Sequence, residues 1–114
     1  MAEVYAGVYL TALTADNFDA EVLSADAGLV FVFYWRPGCA VCQALRPEVE
    51  AFAEKNKDRV KCCTLDAAAF KQLSVSQKVL RIPSFFIYHN GAAARILARY
   101  EADTDAAQAV VDAV

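Results

Sequence analysis

Leu29-Val30-Phe31-Val32-Phe33-Tyr34-Trp35-Arg36-Pro37-Gly38-Cys39-Ala40-Val41-Cys42-Gln43-Ala44-Leu45-Arg46-Pro47 is the stretch that organises the rest of this chain. Leu29 to Tyr34 are all apolar or aromatic. A run that short, rich in β-branched and aromatic residues and polar on neither face, suits a strand buried on both sides. Pro37-Gly38 then breaks the chain. Cys39-Ala40-Val41-Cys42 follows and leads into a segment with helical spacing. On a helix the i and i+3 side chains are neighbours, so the two sulfurs can meet. Cys39 falls at the helix N-terminus, where unpaired N–H groups and the macrodipole favour a thiolate. Residues so placed suit thiol–disulfide exchange.

The whole chain bounds this reading. At 114 residues it is expected to form a single domain, residues 1–114, with a self-sufficient core. A composition 58% hydrophobic and 22% charged fits a packed α/β unit and excludes a disordered chain. A net charge of −3 without any basic cluster argues against nucleic acid as a partner. No apolar run approaches the ~20 residues that a membrane span needs, so no membrane association is expected. Glu3 and the lack of a positive n-region do not suit a secretory signal, and a cytoplasmic protein is expected. Four cysteines, Cys62 and Cys63 being adjacent, do not make a disulfide framework and point to redox or metal use. Adjacent ligands on a strand splay apart, which disfavours a four-cysteine zinc site, and no metal is expected.

Along the chain, Val4–Leu10 reads as a first, edge strand. Thr14 is the expected N-cap of a helix with Phe18, Val22 and Leu23 on one face, ended by Ala25 to Gly28. A helix over Cys39–Asn56 buries Leu45, Val49, Phe52 and Ala53 and is kinked by Pro47. Arg59–Asp66 is a third strand. Ala67–Ser74 is a short helix anchored by Phe70 and Leu73, and Phe85–Tyr88 is a fourth strand. Asn90-Gly91 is a strong hairpin signal leading to a fifth strand, Ala92–Tyr100. Thr104 is the expected cap of a last helix that turns Ala107, Val110, Val111 and Val114 inward. Alternating units followed by a hairpin imply an α/β architecture, a mixed sheet with helices on both faces.

The cysteine pair after the buried strand, Pro47, and Ile82-Pro83 before a hairpin together give a chain that resembles thioredoxins over nearly its whole length. Leu13 to Asp19, Phe33-Tyr34-Trp35, Ile82-Pro83-Ser84 and Asn90-Gly91 fall in the same register. The resemblance implies the thioredoxin fold, a central mixed five-stranded sheet flanked by four helices. It implies that Cys39 attacks, Cys42 resolves, and Pro83 is a cis-proline facing them. The implied substrate groove comprises Trp35, Gly38, Ala40, Val41, Ile82 and Pro83, with the Ile82 backbone offered to an extended segment.

The departures from the family pattern are specific. The usual Gly-Pro between the cysteines is Ala40-Val41, and the aromatic residue before the first cysteine is Gly38. A buried aspartate that assists the resolving thiol corresponds to Phe33, and its lysine neighbour to Cys62. A groove glycine corresponds to Arg99. Cys62 has two readings, a small buried hydrophobe or a third thiol near the active pair. Arg36 and Arg99 are placed to border the groove. The expected function is protein thiol–disulfide oxidoreductase, with no bound cofactor because the cysteines are the redox centre. Its partners would be disulfide-containing proteins and a thioredoxin-reductase-like electron donor, and it would act as a monomer. The alternative is an interaction or redox-switch module with little reductase activity.

Overall fold

The computed structural model describes residues 5–24 and 26–114. Five strands form one sheet: β1 (Leu10–Ala12), β2 (Leu29–Trp35), β3 (Lys61–Asp66), β4 (Ser84–His89) and β5 (Ala92–Ala98). Their order across the sheet is β1-β3-β2-β4-β5. β3 runs parallel to β1 and β2, while β4 is antiparallel to β2 and to β5. The all-apolar run therefore lies at the centre, and every residue of β2 after Leu29 is buried.

Alternation along β2 divides the interior in two. Phe31, Phe33 and Trp35 point to one face, where α1 (Ala40–Lys55) and α3 (Thr104–Asp112) pack through Val49, Phe52, Ala53, Ala107 and Val111. Val30, Val32 and Tyr34 point to the other, covered by a π-helical turn at Asp19–Leu23 and by α2 (Lys71–Ser76). The mixed five-stranded sheet and its helical layers are those expected for a thioredoxin fold. Aromatic rings tie the first interior together, with Phe31 4.9 Å and Phe33 5.5 Å from Phe85 between ring centroids. Each such pair adds about 1 kcal/mol beyond the area it buries.

Several boundaries differ from the sequence reading. The first strand occupies Leu10–Ala12 instead of Val4–Leu10, because the chain turns at Val8-Tyr9 and only the residues beyond pair with β3. It is an edge strand, as expected; Val4 and Ala25 lie outside the described residues. Thr14 is not the N-cap, which is Phe18 without a side-chain bond. Instead the Thr14 Oγ1 accepts the Asn17 N–H at 3.3 Å and Asn17 Oδ1 accepts the Thr14 N–H at 2.7 Å, closing the turn that leads into the coil. The coil that follows is a single π turn, with Phe18 and Val22 buried. α1 spans the expected range and continues through Pro47, which supplies no N–H to the Gln43 carbonyl. β3 begins at Lys61, α2 lies a few residues later than expected, and β5 stops at Ala98, after which Arg99–Glu101 form a 3₁₀ turn. Asp103, not Thr104, caps α3 by accepting the Ala106 N–H at 2.7 Å. Val114 is exposed because α3 ends before it.

The β4–β5 turn has φ of 51° at Asn90 and 88° at Gly91, the pair of positive values that a two-residue hairpin demands. A Cβ at Gly91 would collide with the Leu23 carbonyl, so this turn also packs against the π turn. Gly91→Ala is therefore expected to lower stability by about 2 kcal/mol. Urea denaturation checks this, and an unchanged midpoint would show that the turn and the Leu23 backbone are not in close contact.

Candidate active site

The site is built where β2 hands over to α1. Trp35 closes the strand, and Arg36-Pro37-Gly38-Cys39 forms a turn in which the Cys39 N–H donates to the Arg36 carbonyl at 3.4 Å. Proline at the second turn position fixes φ, and Gly38 at the third has φ of 81°, a region that favours glycine. Nothing stands within 4 Å of where a Gly38 Cβ would be, so that flank of the pair is open.

The turn delivers Cys39 as the N-cap of α1, in an extended conformation. Its Sγ accepts the Cys42 N–H at 3.1 Å, which satisfies one of the donors a helix start leaves unpaired. A donor aimed at sulfur, with the helix dipole behind it, favours negative charge there when the pair is reduced. Cys39 and Cys42 are joined as a disulfide, their Cα atoms 5.2 Å apart. Cys39 keeps 7% of its surface exposed and Cys42 none, so a second molecule can reach only the first sulfur.

Across the sheet, the β2–β4 pairing ends with Tyr34 opposite Ser84, and Pro83 immediately precedes that pair. The Ile82–Pro83 peptide is cis. Pro83 is buried and Ile82 half-buried, and the Pro83 carbonyl accepts the Arg99 N–H at 2.8 Å. The Ile82 N–H and carbonyl take no part in backbone pairing among the described residues. They are therefore available to an added strand. Ala40 and Val41 are exposed beside the cysteines.

The floor of the site is apolar. Phe33 is fully buried and meets Phe85 and Tyr5 edge-on, and Tyr5 meets Trp35 at 5.6 Å. Thr64, the register partner of Phe33, donates its hydroxyl to the Tyr5 carbonyl and offers no proton acceptor to the cysteines. The Arg46 guanidinium lies 3.9 Å from the Tyr5 ring centroid and 5.9 Å from that of Trp35. Tyr5 and Arg46 escaped the sequence reading. The usable signal was helical spacing, which puts Arg46 one turn beyond Cys42.

Cys62 and Cys63 face opposite sides of β3, as expected of neighbours on a strand. Cys62 shares the interior of the reactive pair but is level with Phe31, four residues before Trp35, or about 13 Å along the strand. It borders a hollow of about 550 Å³ at the opposite end of the sheet. Burial pushes the Cys62 thiol up to about 12, helped by Cys63, and burial likewise carries Cys63 to about 12 against the pull of Lys61. His89, exposed at the end of β4 opposite Leu29, is also at that far end. Among the described residues no group of three or more His, Cys, Asp or Glu could hold a metal ion.

A cysteine pair at bonding distance, capping a helix at the end of a central strand, defines a thiol–disulfide oxidoreductase. The thioredoxin family model matches residues 9–112. The chain is 38% identical over 82 residues to the thioredoxin of Peptoclostridium acidaminophilum, covering 72% of this chain and 74% of that one. It is 31% identical to the thioredoxin of Acetoanaerobium sticklandii over 87% of this chain and 93% of that one. A protein disulfide-isomerase A6 homologue of Drosophila melanogaster is 41% identical over 67% of this chain and 17% of its own length. This chain belongs to the thioredoxin family.

Two predictions follow from the buried thiols. In reduced, folded protein at about pH 8, iodoacetamide should label Cys39 first and spare Cys62 and Cys63, whose thiolate fraction is on the order of one in ten thousand. Peptide mapping checks this, and labelling of either without unfolding would contradict it. Because both folded-state pKa values are raised, their contribution to stability is complete below about 9 and is lost as pH climbs toward 12. Tyr88, which burial carries from 10.0 to about 12, acts in the same sense. Urea midpoints should fall over that range, each group adding a slope of at most about 1.4 kcal/mol per pH unit. Cys63→Ala should flatten the fall; a midpoint independent of pH would refute the assignment.

Proposed function

We propose that Cys39 is the attacking thiol and Cys42 the resolving thiol of this oxidoreductase. The observation that carries the reading is the asymmetry of the pair: Cys39 is partly exposed and accepts a helix-start N–H, whereas Cys42 is sealed. The Cys39 thiolate attacks one sulfur of a substrate disulfide, forming a mixed disulfide and releasing the other substrate sulfur as a thiolate that takes up a proton. Cys42, deprotonated, then attacks Cys39 Sγ. The Cys39–Cys42 bond forms, the second substrate thiol leaves, and two electrons have passed to the substrate. A thioredoxin-reductase-like dithiol donor returns the pair to the reduced state.

The groove of Trp35, Gly38, Ala40, Val41, Ile82 and Pro83 binds an extended protein segment, with the free Ile82 main-chain groups as its pairing edge. Residues 1–114 act as one domain, and the working form is a cytoplasmic monomer. No helix among the described residues is long and apolar enough to cross a membrane.

The apolar floor sets the second half-reaction apart. Cys42 shares its buried apolar cluster with Phe33 and Phe85, no carboxylate among the described residues belongs to that cluster, and desolvation disfavours the Cys42 thiolate. Phe33 thus slows resolution of the mixed disulfide.

Insulin reduction with dithiothreitol tests the assignment of roles. Cys39→Ser should abolish the rate above background, and activity that survives would remove Cys39 as nucleophile. Cys42→Ser should accumulate substrate as a covalent adduct. Phe33→Asp should speed release of trapped substrate by about tenfold or more, in the range of general-base assistance. It should also lower stability by a few kcal/mol, since a carboxylate is being buried. Release at the parent rate in a folded Phe33→Asp protein would show that the floor does not limit resolution.

A further inference from the structure

We propose that this site selects disulfides flanked by aspartate or glutamate, and that Arg36, Arg81 and Arg99 are the residues that select them. The inference rests on Cys39 being the reacting thiol. The chain carries a net charge of −3, yet Arg36, Arg81 and Arg99 all lie just beyond the strand ends at the cysteine end of the sheet. Arg36 opens the turn whose fourth residue is Cys39, a span of at most ~7 Å between Cα atoms. Arg81 stands two residues before Pro83. Arg99 is held to Pro83 by its own N–H, and Pro83 immediately precedes Ser84, the register partner of Tyr34. The neighbour of Arg99, Ala98, pairs with Ser84, so it is two strand spacings, about 10 Å, from the Tyr34 backbone. That is comparable with the Debye length of ~8–10 Å at ordinary salt, so a charge at that distance is only partly screened.

All three side chains are exposed, and among the described residues no carboxylate pairs with any of them. The ion pairs Arg59–Asp112 and Lys61–Glu21 engage residues at or before the start of β3, at the other end of the sheet. Asp66 and Asp103 give their oxygens to backbone N–H groups of Ala68, Ala69 and Ala106, so neither clamps an arginine. Both keep their negative charge, and Asp66 stands in register with Trp35. Glu101, exposed two residues after Arg99, offsets a further part of the arginine charge.

Arg99 adds an independent sign of use. Its φ is 51°, in the left-handed region, where a non-glycine residue costs on the order of 1 kcal/mol. Its guanidinium is 4.9 Å from the ring centroid of Tyr100, which is 82% exposed, so the cation is presented on a solvent-facing platform. Exposed Val41 and Leu80 complete the surface with apolar contacts. The segment that fits carries acidic residues on either side of its cystine and an apolar residue near it.

The test uses three cyclic peptides that share one disulfide and differ only in flanking residues: Asp and Glu, Ser, or Lys. Reduction by the protein with dithiothreitol is read as kcat/KM at low and high salt. The acidic peptide should exceed the lysine peptide by about tenfold or more at low salt, the lower end of electrostatic steering, with the ratio falling toward one as salt rises. Arg36→Gln/Arg81→Gln/Arg99→Gln should collapse the ratio within the same protein, and Arg99→Lys in the parent chain should preserve it. Equal kcat/KM for acidic and lysine peptides at low salt overturns the proposal and leaves Cys39 as the nucleophile. Reduction that survives Cys39→Ser overturns the catalytic reading instead. Should no peptide be reduced, NMR titration of the Cys39→Ser/Cys42→Ser protein decides. Tighter, salt-sensitive binding of the acidic peptide supports the selection; indistinguishable binding ends it.

Discussion

The hydrogen bond from the Cys42 N–H to Cys39 Sγ is the contact on which the chemistry depends. It exists only because Cys39 caps α1, and Cys39 caps α1 only because the Pro37-Gly38 turn ends β2 at Trp35. The turn is in turn anchored by β2, held between β3 and β4 and covered on both faces. A loop carrying two cysteines would bring sulfurs together only transiently. A helix start fixed to the central strand holds one of them where a donor and a dipole act on it and solvent can reach it.

Beneath that sulfur the molecule is unusually apolar for a site that moves protons. Phe33, Phe85, Tyr5 and Trp35 interlock through edge-on ring contacts, and the polar group level with Phe33 spends its hydroxyl on a backbone carbonyl. These contacts make the floor rigid and stable. They also leave Cys42 without a built-in proton acceptor. The charge nearest that floor is the Arg46 guanidinium, stacked on Tyr5.

How much of this was legible in the sequence depended on how local each determinant is. The buried run from Leu29, the helix after Cys39 and the Asn90-Gly91 turn were readable because composition, period and backbone chemistry agree there. The opposite orientation of Cys62 and Cys63 followed from strand alternation alone. The first strand was misplaced because Tyr5, Val8, Tyr9 and Leu10 form an apolar run, while only Leu10–Ala12 find a partner strand. Thr104 and Asp103 are both competent caps, and which one closes α3 is settled by a single residue of register. The Tyr5–Arg46 stack joins residues 41 apart in sequence, beyond any periodic signal. Arg99 stood out only as a charged residue at a glycine position; its left-handed backbone and its bond to Pro83 are tertiary facts.

The central claim is that the helix start makes Cys39 the readily ionised, reachable thiol. Ultraviolet thiolate absorbance followed against pH on the reduced protein, beside Cys39→Ser, tests it most directly. One thiolate should appear below the ~8.5 of an ordinary cysteine and vanish in Cys39→Ser. A reduced protein whose first thiolate appears only at or above that value, or persists unchanged in Cys39→Ser, would contradict the account.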